Sequence, residues 1–228
     1  MAKGIYKFLH AQHASAVLEA GTVKIGSLSH YRNLEGDQWI ADKLEGRVVI
    51  EPGAITISEN EDKLTPLLPH SLRNHVRAES GGTITYAPGV KITIEHPDAY
   101  IFSATIGDLT KLKDVMCRDS AERYDACIGI NSIEHLAHRM FFRGRSLNLN
   151  NTRMSRLFSG FECSPVKYDI LSRTTELGRA PEASPFLKDV KFEAQSEYRI
   201  AFWPRQPIAQ PTLLIGIPRP RQLFHAVF

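Results

Sequence analysis

Residues 192–203 of the chain read FEAQSEYRIAFW, a polar cluster that runs directly into an apolar stretch. The second half, residues 198–203, is rich in aromatic and branched side chains and predicts a buried β-strand. Alternation along an extended chain would point Glu193, Gln195 and Glu197 to one face, where the three polar groups converge on one ligand. The alternative interpretation is a solvated entrance to the strand with surface carboxylates.

Size and composition are those of one globular domain spanning residues 1–228. Hydrophobic residues make up 43% of the chain, which is enough to bury a substantial core. The formal charge of +3 is too small to indicate a polyanionic partner by itself. No apolar run approaches the roughly 20 residues that span a bilayer, so we expect no membrane association.

The three cysteines, Cys117, Cys127 and Cys163, show no CxxC spacing. An odd number of cysteines without that spacing predicts free thiols in a reducing compartment. We therefore expect a cytoplasmic protein.

Short strand patterns recur along the whole chain. They cover residues 4–9, 22–26, 48–50, 54–57, 83–86, 90–94, 100–105, 126–130, 166–171, 197–203 and 213–217. The turn pairs Pro52-Gly53 and Pro88-Gly89 predict two local hairpins, and helices are predicted at residues 10–20, 64–77 and 133–142. Hairpins outnumber strand–helix–strand units, which predicts an α+β fold of mostly antiparallel sheets with a few peripheral helices.

The polar cluster also indicates a type of chemistry. A carboxylate beside an amide suits the stabilisation of positive charge on a sugar ring during glycosidic cleavage. The triplet 195–197 has the form Gln-x-Glu at the start of a late strand, and in this the sequence resembles the ADP-ribosyltransferase-like superfamily. The resemblance implies a split β-sandwich fold and NAD as the substrate. It further implies that Glu197 is the catalytic carboxylate and that Gln195 faces the acceptor.

Two further segments are similar to the same superfamily. Residues 100–105, YIFSAT, resemble its aromatic–Ser–Thr–Ser strand, although Ala104 interrupts the pattern. This implies that Ser103 and Thr105 support a nicotinamide pocket; ordinary polar positions of a strand are the alternative. Residues 9–21 resemble its opening strand and glycine-terminated helix, closest to the DNA-modifying toxin and RNA phosphotransferase branches. This implies that His10 binds the nicotinamide ribose, whereas a histidine that caps the first helix is the alternative.

A second resemblance rests on more specific sequence matches, but it implies no activity. The run Tyr6-Lys7-Phe8, together with residues 188–192 and 197–200, is similar to a broad bacterial and phage family built on a domain of unknown function.

The polar segment 27–46 has two interpretations. Tyr31 and Arg32 suit the adenosine and pyrophosphate of a dinucleotide, because arginine offers a planar fork to phosphate. The acidic residues of the same segment could instead hold a divalent metal or form a solvated loop, and the solvated loop is favoured over the metal. These residues are Glu35, Asp37, Asp42 and Glu45.

Five arginines without an acidic residue between them mark the segment 139–156. They are Arg139, Arg143, Arg145, Arg153 and Arg156, and they alternate with Phe141 and Phe142. Arginine interleaved with aromatic residues suits phosphate contact and base stacking, so the segment predicts binding of a nucleic acid or other acceptor. A basic surface balanced by acidic patches elsewhere is the alternative. His135 and His138 lack a third ligand nearby, and no metal site is predicted.

Two hypotheses follow. The first is an ADP-ribosyltransferase-like enzyme that cleaves NAD and transfers ADP-ribose to a nucleic acid or protein. The second is a non-enzymatic protein of a phage–bacterium conflict system that binds a nucleotide, a nucleic acid or a protein; the incomplete motifs favour it.

Overall fold

The computed structural model describes residues 4–34, 42–51, 55–58, 83–86, 91–118, 124–174 and 182–228. They form an α+β fold with mostly antiparallel sheets and a few helices, which confirms the predicted fold class. No helix in these ranges is both long enough and apolar enough to cross a bilayer.

The elements are numbered in chain order. The strands are β1 (Gly4–Leu9), β2 (Thr22–Ser27), β3 (Arg47–Glu51), β4 (Ile55–Ser58), β5 (Thr83–Tyr86), β6 (Ile92–Glu95), β7 (Tyr100–Gly107), β8 (Ala126–Ile130), β9 (Arg145–Ser146), β10 (Thr152–Arg153), β11 (Phe158–Pro165), β12 (Lys167–Asp169), β13 (Ser172–Thr174), β14 (Leu187–Asp189), β15 (Glu197–Pro204), β16 (Thr212–Gly216) and β17 (Phe224–Ala226). The helices are α1 (Ala11–Leu18), α2 (Leu28–Arg32), α3 (Leu109–Arg118), α4 (Ile133–Arg143) and α5 (Met154–Leu157), with 3₁₀ segments at Val190–Gln195 and Pro220–Gln222.

The central sheet divides at β7. On one edge, β7 pairs with β15 along six residues, and β15 pairs in turn with β11. On the other edge, β2 pairs with β7 only at Tyr100 and Ile101, and β1 pairs with it only from Thr105 to Gly107. One arm of the sheet therefore runs β2-β16-β9-β10 and the other β1-β8-β17, with residues 102–104 of β7 between them.

The two faces of the sheet differ in polarity. Phe102 and Ile200 are partners across β7 and β15, and both point into the main hydrophobic core. Of the pairs that alternate with them, Ile101 and Ala201 belong to a small apolar cluster, whereas Ser103 opposite Arg199 and Thr105 opposite Glu197 are polar. The pleat thus separates an apolar core from a polar face around the division of the sheet.

Helix α4 covers the core face. Its start is capped by the Ser132 hydroxyl, which accepts a hydrogen bond from the backbone N–H of His135 at 3.1 Å. The buried side chains recur at helical spacing and include Leu136, which is fully buried. Phe142 lies on the opposite side of the helix, with 57% of its surface exposed.

A smaller sheet has the strand order β13-β3-β6. Its Val48, Ile50 and Ile94 pack with Leu171 and Leu187 in a separate apolar cluster. The turn that precedes β3 carries Glu45 to Arg199 of β15, so the small sheet is joined to the central sheet by an ion pair.

The two predicted local hairpins are not formed. β3 pairs with β6, and β4 pairs with β5, so that one hairpin is nested inside the other. Pairing β3 with β6 buries the apolar side chains of both strands in one cluster, and this burial outweighs the local turn preference. The turn pairs at 52–53 and 88–89 and the predicted helix 64–77 lie outside the described residues.

Helix α4 provides a test of the core assignment. Leu136→Ala should lower the free energy of unfolding by about 2–5 kcal/mol, because it leaves a cavity in the core. Phe142→Ala on the same helix should change it by less than about 0.5 kcal/mol, because the ring is mainly exposed. Urea unfolding of both variants measures the difference, and equal losses would contradict the described packing.

Candidate functional site

A buried ion network occupies the polar face at the start of β15. Arg199 is 1% exposed, and its Nε donates to Glu197 Oε2 at 2.7 Å. Its Nη1 and Nη2 donate to the two carboxylate oxygens of Glu45 at 2.5 and 3.2 Å. Lys188 Nζ donates to Glu197 Oε1 at 2.5 Å and to Gln195 Oε1 at 2.7 Å. Two carboxylates are thus matched by two cations.

The network keeps Glu197 ionised. Burial acts to raise the pKa of this carboxyl, but Arg199 and Lys188 outweigh burial and hold the pKa well below its ordinary value of 4.5. Each carboxylate oxygen accepts one hydrogen bond from a cation and retains capacity for another. The result is a fixed, charged carboxylate whose side chain is 10% exposed.

A lysine lies where the sheet divides. Lys7 Nζ donates to the backbone carbonyl of Ser103 at 2.7 Å and lies 5.1 Å from the centre of the Phe102 ring. Ser103 belongs to the part of β7 between the two arms, so the ammonium group replaces a strand partner there. Burial lowers the pKa of Lys7 to about 8; Glu197 opposes this shift, and Lys24 adds to it.

Tyr31 lies near the ion network, whereas His10 packs against other rings. Tyr31 is close enough to Arg199, Glu197 and Glu45 to interact with them electrostatically, although burial is the main cause of its raised pKa. The ring of His10 packs against Tyr124, with the ring centroids 5.6 Å apart, and against His13 at 6.5 Å. These ring contacts do not link His10 to Glu197.

The capping alternative for His10 is wrong. His10 occupies the N-cap position of α1, but its side chain makes no capping hydrogen bond. The Ala11 N–H is bound instead by the Asp125 carboxylate at 2.6 Å.

Other predicted residues already have protein partners. The Arg32 guanidinium pairs with Glu95 at 2.8 Å and donates to the Glu45 carbonyl at 3.3 Å. Gln195 is buried and accepts a hydrogen bond from Lys188. Thr105 is buried beside Glu197, and Ser103 is half-buried beside Arg199.

The predicted alternation of Glu193, Gln195 and Glu197 along one strand is wrong. Residues 190–195 form a 3₁₀ segment, and Ser196 follows with φ of 45°, so β15 begins only at Glu197. Phe192 and Gln195, three residues apart, are the buried positions of the segment, and Glu193 is exposed. Gln195 and Glu197 still meet, because both bind Lys188.

The arginines of the predicted acceptor segment lie away from the ion network. Arg139 and Arg143 lie on α4 and line a cavity of about 410 Å³ together with Pro218 and Arg219. Arg145 and Arg153 are partners across β9 and β10, and Arg156 belongs to α5.

Two residues of the network were missed as site residues in the sequence: Lys188 and Arg199. The alternation of Glu197 and Arg199 within an otherwise apolar strand was a usable signal, because two charged residues on one face of a buried strand need partners. Glu45 was noted only as an acidic loop residue. The described residues contain no group of three or more His, Cys, Asp or Glu side chains placed to hold a metal ion; Glu35 and Asp37 lie outside them.

No protein-family model, curated protein or solved structure matches the chain. The geometry of the site therefore carries the functional argument.

The network predicts how stability depends on pH. Since the pKa of Glu197 in the folded protein lies below 4.5, its contribution to stability is present above pH 4.5 and is lost as the pH falls from there towards the folded pKa. The Glu197→Gln variant should lose about 3–5 kcal/mol at neutral pH, because Lys188 and Arg199 then share one carboxylate. Its unfolding free energy should also fall less steeply with acid than that of the wild type.

Urea unfolding at about pH 7 and about pH 4 measures both effects. Glu193→Gln is the matched control, because it removes an exposed carboxylate from the neighbouring segment and should leave stability nearly unchanged. If Glu197→Gln is too unstable to purify, Glu197→Leu combined with Lys188→Met removes the pair together. Parallel acid profiles for wild type and Glu197 variants would contradict the assignment.

Proposed function

We propose that the protein is an ADP-ribosyltransferase-like enzyme that cleaves NAD and transfers ADP-ribose to a nucleic acid or protein acceptor. The observation that carries the proposal is the division of the central sheet at β7. Ser103, Thr105 and Glu197 lie there on one polar face, with Lys7 at the gap and Tyr31 beside the network. Hydroxyl, carboxylate and ammonium groups suit a dinucleotide from which nicotinamide leaves as positive charge develops on the ribose.

The ionised state of Glu197 suits the bond to be broken. When the bond between nicotinamide and ribose C1′ breaks, its electron pair leaves with the nicotinamide nitrogen and C1′ becomes positively charged. A carboxylate held in place before the reaction stabilises that charge without reorganising. An acceptor nucleophile then bonds to C1′ and loses its proton to solvent water. Gln195, which accepts a hydrogen bond from Lys188, faces this acceptor.

The cations near the gap suit the pyrophosphate of NAD. Lys7 and Lys24 interact electrostatically, and Lys24 is exposed on β2. Binding of an anion between them favours the charged form of Lys7, since an opposite charge offsets the desolvation that lowers its pKa. In this arrangement the two lysines contact the pyrophosphate. Arg32 forms an ion pair with Glu95 and lies on the side of the adenosine.

The same network also favours the second hypothesis. Both carboxylate oxygens of Glu197 are bound by cations, and the charges of Glu197 and Glu45 balance those of Lys188 and Arg199. Such a neutral network also fits a carboxylate that only stabilises the fold. In that case the protein binds a nucleotide or nucleic acid without turning it over. Under either hypothesis we place it in the cytoplasm, because its three cysteines are free thiols.

Nicotinamide release tests the enzyme proposal. Wild-type protein incubated with NAD should release nicotinamide, measured by chromatography, and Glu197→Gln should lower the rate by about 10²–10³-fold. Glu45→Gln is the matched control, because it removes the other carboxylate bound to Arg199 and weakens the same network. It should lose stability but retain most of the turnover at a temperature where both variants are folded.

Thermal unfolding with NAD separates the two hypotheses. At about 100 times the dissociation constant, NAD should add about 2.7 kcal/mol to the unfolding free energy. A shift without nicotinamide release would support the binding hypothesis. If millimolar NAD causes no thermal shift and no nicotinamide is released, the proposed function is overturned.

A further inference from the structure

The arginine cavity beside α4 is a built feature of the fold. Arg139, Arg143 and Arg219 line it together with Pro218. Arg139 is held in position, because its Nη2 donates to Gln222 Oε1 at 2.8 Å and its Nη1 to the Pro218 carbonyl at 3.3 Å. Within the described ranges, none of the three arginines forms an ion pair with a carboxylate. Their positive charge is available to an anion.

The basic surface continues beyond the cavity. Arg145 and Arg153 lie directly opposite each other in the β9–β10 pair, an arrangement that destabilises a sheet. Arg145 is also the partner of Gly216, two residues before Pro218, so this pair adjoins the cavity. Among the residues that the structure describes, no carboxylate forms an ion pair with Arg145 or Arg153. Two such charges side by side indicate a partner that supplies several negative charges in a row.

The ends of secondary structure do not account for this cluster. The dipole of α4 favours Arg143 in the last turn of the helix, but Arg139 lies before that turn. Arg219 reaches the same cavity from the segment after β16, where its backbone φ of 56° lies in the left-handed region that residues other than glycine rarely adopt. The fold places this guanidinium at the cavity despite the backbone strain.

An exposed aromatic ring stands next to the arginines. Phe142 follows Arg139 by three residues, so the two are neighbours on the surface of α4. The Phe142 ring stacks on His138 with centroids 5.7 Å apart and an angle of 17°, and it rests edge-on against buried Phe141 at 4.9 Å. The neighbouring rings fix the orientation of Phe142 while 57% of the residue remains exposed.

From these contacts we infer that α4, the cavity and the β9–β10 pair form a binding surface for single-stranded nucleic acid. Backbone phosphates bind the arginines, and an unpaired base stacks on Phe142. A duplex offers the phosphates but keeps its bases stacked away from such a ring. The inference rests on the proposed function in one respect only, namely that the bound nucleic acid would be the acceptor of ADP-ribose. Binding itself needs neither NAD nor Glu197, because the surface lies apart from that residue.

Fluorescence anisotropy with a labelled oligothymidylate of about 12 nucleotides, in the absence of NAD, tests the inference. The variant Arg139→Gln/Arg143→Gln/Arg219→Gln should bind at least about tenfold more weakly, and the slope of log affinity against log salt should decrease by about 2, since each phosphate contact contributes about 0.7. Lys111→Gln removes an exposed cation from α3 and is the matched control, with unchanged affinity expected.

A second variant tests the stacked base. Phe142→Ala should weaken binding of the oligonucleotide by about five- to a hundredfold and leave the salt slope unchanged. Phe142→Leu, which keeps apolar surface without a ring, should show most of the same loss. Equal affinity of the wild type and the triple arginine variant, or no effect of either Phe142 change, would overturn the inference. Because the assay contains no NAD, its result does not depend on whether NAD is cleaved.

Discussion

Arg199 is a buried guanidinium inside the central sheet, and the arrangement of the polar face depends on neutralising it. The side chain lies on β15, a strand whose other face belongs to the main core. Removing such a charge from water is costly unless it is paired and hydrogen-bonded. Glu197, Glu45 and the Pro185 carbonyl together supply those partners.

Those partners come from distant parts of the chain, and this gives the network its structural role. Glu45 precedes the smaller sheet, Pro185 precedes β14, and Glu197 begins β15. Replacement of a buried ion pair by apolar side chains is often neutral for stability, so the pairs are better understood as fixing one arrangement of these segments. That arrangement holds Glu197 beside the division of the sheet.

The strongest apolar strands could be predicted from the sequence, and the contacts between distant segments could not. β7 and β15 were predicted because aromatic and branched residues dominate them, and α4 because its apolar residues recur at helical spacing. Lys188 gave no local signal, since it reaches Glu197 only after the 3₁₀ segment reverses the chain. That segment was mistaken for strand because alternate polar residues also fit an extended chain. The buried pair Phe192 and Gln195 shows the helical spacing that decides between the two.

The placement of Glu197 is the central claim, and its titration tests that claim most directly. In a carbon-13 NMR titration of the side-chain carboxyl, Arg199 and Lys188 should hold the midpoint for Glu197 well below 4.5. A midpoint at or above 4.5 would mean that the carboxylate is not bound by the two cations, and would contradict the account of the site.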